Sequence, residues 1–144
     1  MIRIIAIGKK HESWIVDGLE RYQKRLRAPF DAEWALLPYS DLETESQAIL
    51  ARIKADEYVI LLDERGQNVG SVELSDKLST IFTTKSVTIV IGGAYGVNRA
   101  VQSRADFIWS LSKLVFPHML VRLLLIEQLY RAQEIHHNRP YHHR

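Results

Sequence analysis

Apolar runs of strand length alternate along the chain with stretches whose apolar positions recur every three or four residues, the spacing of a helix face. Ile2 to Gly8 reads as a strand that ends on a glycine. Trp14 or Ile15, Leu19, Tyr22 and Leu26 follow at helical spacing, with Arg21, Lys24, Arg25 and Arg27 towards the end where cations suit the helix dipole, and Pro29 closes the helix. Ala32–Leu37 reads as a second strand, and a helix then begins near Glu43 to Ser46 with Ile49, Leu50 and Ile53 on its apolar side. Tyr58–Leu62 and Val87–Ile91 are continuous apolar runs, the signature of strands covered on both faces. Between them, Asp63–Gly66 and Gly70-Ser71 read as a loop, with Ser71 capping a helix that carries Leu74, Leu78, Ile81 and Phe82. A short helix over Asn98–Ala105, a strand over Phe107–Leu111 and a Pro117-started helix reaching His137 complete the pattern. Five strands alternating with five helices predict an α/β fold with a mainly parallel sheet covered by helices on both faces.

Composition narrows the class. The 144 residues suit one domain, 1–144, and 47% apolar with 25% charged residues is the profile of a globular chain with a real core. There is no cysteine, which excludes disulfides and thiolate metal sites. The opening MIRIIAIGKK has its charge after its apolar run, so it reads as a first strand and not as a signal peptide. No stretch approaches the ~18 apolar residues of a membrane span, and the expected location is the cytoplasm. The net charge of +2 is unevenly spread: Arg99 to Arg144 holds seven Arg/Lys against three Asp/Glu, with five of the six histidines. An acidic body with a basic, histidine-rich last third suggests a polyanion contact there, or simply a few solvated surface arginines.

Four segments carry candidate chemistry. Gly92-Gly93-Ala94-Tyr95-Gly96 follows a buried strand, where glycines allow a sharp turn and a close approach of ligand to main chain. Its spacing is neither the dinucleotide fingerprint nor a P-loop, and a plain strand-to-helix turn is the competing account. Leu111-Ser112-Lys113-Leu114-Val115-Phe116 mixes apolar side chains with free backbone groups and suits one wall of a flat heteroaromatic ligand, or core packing. The last helix is apolar on more sides than one sheet face requires, which marks either a dimer interface or a helix enclosed in its own subunit. The tail His136-His137-Asn138-Arg139-Pro140-Tyr141-His142-His143-Arg144 lacks carboxylate or thiolate partners for a metal, and no metal is expected; Tyr, His and Arg together suit RNA bases and phosphates.

Taken in order, Ile91-Gly92-Gly93-x-x-Gly96, Trp109-Ser110-Leu111-Ser112, Phe116-Pro117-His118, Val121-Arg122, Glu127-Gln128-x-Tyr130-Arg131-Ala132 and Pro140-Tyr141-His142 resemble the ribosomal RNA large subunit methyltransferase H family. Ile5–Gly8 and Leu61-Leu62-Asp63 extend the likeness over the whole chain, while Ala94-Tyr95 is an unusual filling of the glycine loop. The resemblance implies a SPOUT-type fold with a C-terminal trefoil knot, a homodimer, and S-adenosylmethionine as cofactor. Carried over by position, the cofactor residues are Leu62, Gly92, Gly96, Leu111, Ser112, Lys113, Leu114, Val115 and Phe116. It further implies methylation at N3 of a pseudouridine in a large-subunit RNA stem-loop of the assembled ribosome. Arg122, Tyr141, His142 and Arg144 are the expected RNA contacts. His118, Arg122, Tyr141 and His142 are the candidates for handling the proton, with the base unassigned. The competing functions are a ribosome-binding factor without catalysis and a methyltransferase of the same class acting on transfer RNA.

Overall fold

A computed structural model describes residues 1–143. The elements run β1 (Ile2–Ile7), α1 (Ser13–Gln23), β2 (Ala32–Leu37), α2 (Leu42–Ala51), β3 (Tyr58–Asn68), α3 (Ser71–Phe82), β4 (Val87–Ile91), α4 (Arg99–Arg104), β5 (Phe107–Ser110) and α5 (His118–His136). All strand pairs are parallel, in the order β2-β1-β4-β3-β5. Alternate residues along each strand feed two separate cores. Ile2, Ile4, Ile60, Ile89 and Trp109 pack beneath α1, α3 and α5, whereas Ile5, Ile7, Leu61 and Val90 pack beneath α2 and α4. The expected parallel α/β sheet with helices on both faces is what forms. β4 is buried at every position, as a central strand sandwiched between helical layers must be.

Strand β3 is longer than its apolar run. Beyond Leu62 the polar segment Asp63–Gly66 bulges out, and Gln67 and Asn68 pair again with Trp109 and Ser110 of β5. Asn68 Nδ2 adds a 2.9 Å bond to the Ser110 carbonyl. Residues 63–66 are thus part of the sheet rim and not a free loop, because backbone pairing needs no apolar pattern. Ser71 is the first helical residue of α3 and not its cap, a position that Gly70 holds.

At the amino ends of the strands, Glu57 is a buried clamp. Its carboxylate accepts from Arg3 at 2.9 and 2.8 Å, from the Lys54 amide at 2.6 Å and from the Thr88 hydroxyl at 2.6 Å. Burial alone favours the neutral acid, but these bonds outweigh it and hold the carboxyl below its ordinary range.

α5 lies against both α1 and α3. Gly18 of α1 sits so close that an added Cβ would lie 2.9 Å from Leu123 Cδ1, and Ser75 of α3 donates to the Ala132 carbonyl at 2.7 Å. The broad apolar band of this helix is therefore consumed largely inside the subunit. The inference of a dimer from that band alone is withdrawn. No helix among the described residues is long and apolar enough to cross a membrane.

Candidate functional site

From the carboxyl ends of β1, β3 and β5 the chain passes into the α1/α3/α5 layer, while from β4 it passes to α4 on the other side. Loops that leave neighbouring strands towards opposite faces open a crevice between them. Here that crevice is a cleft of about 480 Å³ at the ends of β3, β4 and β5. Its walls are Leu62–Arg65, the turn Ile91–Gly96, and Trp109, Leu111, Ser112 and Leu114–Phe116, with His118 and Val121 of α5 completing the lining.

The glycine turn has a steric reason. An added Cβ at Gly92 would lie 2.8 Å from the Gly96 carbonyl oxygen, and Gly96 itself has φ +78°, a left-handed conformation that side chains disfavour. A Gly93–Gly96 backbone bridge closes the turn. Tyr95 at its tip is 88% exposed, as are Leu114 at 70% and Val115 at 76% across the cleft mouth. Three apolar side chains left in solvent around one opening are surface that a ligand or partner would cover.

Of the residues assigned to the cofactor, Leu62, Gly92, Gly96, Leu111, Ser112, Leu114, Val115 and Phe116 meet at this cleft. Lys113 is exposed and does not line it. Asp63, Glu64 and Arg65 line it and were not anticipated, because the polar bulge of β3 reads as a loop in the sequence. Asp63 is locked by Arg65 at 2.9 Å, and that bond holds its carboxyl below the ordinary range.

Arg122 is not on the surface. It has zero exposure, and each of its five N–H groups has an acceptor. Nε donates to His118 Nε2 at 3.1 Å; Nη1 donates to the Lys10 carbonyl at 3.2 Å and His11 Nδ1 at 3.0 Å. Nη2 donates to the carbonyls of Ile7 at 3.0 Å and Gly8 at 3.1 Å. Gly8 has φ +119°, and a Cβ there would sit 2.9 Å from Nη2, so only glycine admits this approach. The expected RNA contact of Arg122 is corrected accordingly: it braces the β1–α1 loop from inside. Its helical spacing held the signal, since Met119, Arg122, Ile126, Leu129 and Gln133 form one buried stripe.

His118 sits between Arg122 and the cleft. Burial, reinforced by the Arg122 charge, pushes its pKa down to about 4, so the ring is neutral near pH 7. His11 is shifted in the same direction for the same two reasons.

The tail folds back on the far half of α5. Tyr141 donates to Glu127 Oε2 at 2.8 Å, stacks edge-on to Tyr130 at 4.8 Å, and lies under the Arg131 guanidinium. Burial and the Glu127 bond raise its phenol well above the usual value. Arg131 ties Glu127 at 2.6 Å and donates to His142 Nδ1 at 3.0 Å. Glu127 lies six residues beyond Val121, the last cleft-lining residue of α5, about 9 Å along a helix at ~1.5 Å per residue, and neither Tyr141 nor His142 lines the cleft of its own subunit. Arg144 lies outside the described residues. Among the described residues no cluster of three or more metal-ligating side chains occurs.

The model of the predicted SPOUT methyltransferase family matches residues 1–142. Ribosomal RNA large subunit methyltransferase H of Acinetobacter baylyi is 39% identical, with 98% of each chain covered. The proteins of the same name from Synechococcus and Prochlorococcus marinus are 42% and 43% identical, each covering 97% of this chain and 94% of the relative. Among solved structures, a probable methylase family protein of Haemophilus influenzae superposes with a TM-score of 0.59 at 13% identity, over 99% of this chain and 70% of that one. At that identity the likeness concerns the fold alone.

Proposed function

Because the chain belongs to the SPOUT methyltransferase family, and within it to the ribosomal RNA large subunit methyltransferase H family, we propose that it methylates large-subunit ribosomal RNA using S-adenosylmethionine. The observation that carries this reading is the cleft at the β3/β4 crevice, where three separate loops converge on one cavity. These residues suit the cofactor. The turn Gly92–Gly96 lines the cleft with main chain, open at Gly96 where an added Cβ would meet nothing within 4 Å, and Leu111, Leu114, Val115 and Phe116 offer apolar surface for a flat base. When bound, the cofactor supplies an electrophilic sulfonium methyl. The protein's part is alignment of donor and acceptor, which is worth roughly 7–11 kcal/mol in well-oriented reactions.

The finer reading is methylation at N3 of a pseudouridine in a stem-loop of the assembled ribosome, by a cytoplasmic homodimer whose C-terminal segment is threaded as a trefoil knot. It rests on the family's motifs standing in order along this chain. The dimer has separate support: Tyr141 and His142 are the tail residues suited to RNA, and in their own subunit they are held by Glu127 and Arg131 and do not line its cleft. In a dimer the tail of one subunit serves the cleft of the other.

Mass mapping of modified nucleosides in ribosomal RNA from cells lacking the protein tests the substrate. The expected result is loss of one methylated pseudouridine, restored by the wild-type chain; its retention overturns the assignment. Calorimetry with S-adenosylmethionine separates the enzyme from a binding factor, which releases no heat. Tyr141→Ala with His142→Ala is expected to abolish methylation of ribosomes while leaving cofactor binding within about threefold; unchanged methylation removes the tail from the RNA site.

A further inference from the structure

Arginine is always a donor at Nε, so a 3.1 Å Arg122 Nε–His118 Nε2 contact makes His118 Nε2 an acceptor. A neutral imidazole that accepts at Nε2 carries its proton on Nδ1. A protonated ring would set two N–H groups face to face, inside a pocket that already holds one guanidinium. The same logic fixes His11, whose Nδ1 accepts from Arg122 Nη1 at 3.0 Å. His118 lines the cleft, and its Nδ1 has no protein partner among the described residues. Nor is that nitrogen a buried orphan, since Asp31 Oδ1 is the one such atom among the described residues. The arrangement therefore leaves one N–H, of fixed tautomer and without a protein partner, on a residue that lines the cleft.

We propose that His118 works in the reaction as a neutral hydrogen-bond donor, its Nδ1–H binding a ring carbonyl oxygen of the acceptor uracil-type base as negative charge gathers there, and that Arg122 is the positioning residue that imposes this tautomer. The proposal rests on the methyltransferase reading above and gives His118 a role other than the base. Loss of the imide proton to solvent water spreads charge onto the flanking carbonyl oxygens, and a preorganised donor at such an oxygen stabilises the anion. A histidine that takes a proton only near pH 4 is poorly suited to remove one from an imide. The charged groups that bear on the ring are Arg122, which opposes its protonation, and Glu12, which favours it; His11 shares Arg122 with it.

Two measurements on the full chain test this. Nitrogen-15 NMR of the histidine side chains between pH 6 and 8, assigned by loss of the His118 signal in His118→Asn, is expected to show the Nδ1–H tautomer; an Nε2–H tautomer or an imidazolium overturns the proposal. Single-turnover methylation of ribosomes is expected to slow about 10²–10³-fold in His118→Phe, the loss typical of one anion-stabilising donor, with cofactor affinity within threefold. His118→Asn, which restores a donor near the Nδ1 position, recovers at least tenfold of that loss. Arg122→Lys removes the Nε donor while keeping the charge, and the Nε2–H tautomer of His118 is then expected to appear in the nitrogen-15 spectrum; an unchanged Nδ1–H tautomer shows that Arg122 does not impose it. The two His118 variants keep the test decisive where Arg122→Lys does not fold. A wild-type rate in His118→Phe refutes the donor role and leaves the enzyme standing; a wild-type chain that methylates no ribosomes refutes the enzyme while the tautomer is still read by NMR.

Discussion

Arg122 has no carboxylate within ion-pair distance among the described residues, yet its guanidinium is wholly enclosed. Three backbone carbonyls and two imidazole nitrogens take the place of a counter-ion. Replacing Arg122 by Met keeps much of the volume but orphans these acceptors, each worth about 1–3 kcal/mol when buried and unpaired. The expected loss is about 3 kcal/mol or more, read as a lower denaturant midpoint at unchanged slope; a variant as stable as wild type shows that the carbonyls find water instead. Gly92→Ala acts at the other end of the site. Its Cβ meets the Gly96 carbonyl at 2.8 Å, and a backbone atom has nowhere cheap to go. Calorimetry should show cofactor affinity at least tenfold weaker. The glycine turn was legible in the sequence because glycines after a buried strand have few other uses. The interior place of Arg122 was not: four of its five acceptors lie more than a hundred residues away in the chain, and only its position on the buried stripe of α5 betrays it.

The elements were read well wherever burial imposes an uninterrupted apolar run. Val87–Ile91 forms a strand over those very residues, buried at every position. The polar end of β3 was missed, since its second pairing with β5 is made by main chain and by Asn68 alone. The breadth of the apolar band on α5 was seen, but its cause, a seat between α1 and α3, depends on contacts that no local pattern encodes. Burying His118 beside Arg122 at the amino end of α5 also gives the fold a pH dependence. Unfolded, His118 takes a proton near 6.5; folded, it takes one near 4. Between those values the unfolded chain binds more protons, so this contribution is complete above about 6.5 and stability declines as pH falls towards 4, with a slope blunted by the partial solvent exposure of the ring. Denaturant titrations should show that slope in the wild type and a shallower one in His118→Asn, with His11 supplying what is left. The depressed Glu57 acts lower still: its stabilisation is present above the ordinary carboxyl range and disappears as pH drops through its folded value.

For the whole molecule, the decisive relation is between cleft and tail. Both were legible as segments, yet the chain alone gives no hint that Tyr141 is held by Glu127 and Arg131 on the far half of α5. If the tail serves the partner's cleft, the two functions sit on different chains and can be damaged separately. Gly92→Ala disables the cofactor turn and spares the tail; Tyr141→Ala with His142→Ala disables the tail and spares the turn. Each variant alone should be inactive on ribosomes. Co-expressed, half of the randomly assorted dimers pair one of each, and in them the intact cleft faces the intact tail. Activity should therefore return to roughly a quarter of the wild-type level, one working site in half of the dimers, and sedimentation should show dimers throughout. A tail that serves its own cleft leaves every mixture dead, because no single chain then carries both intact parts.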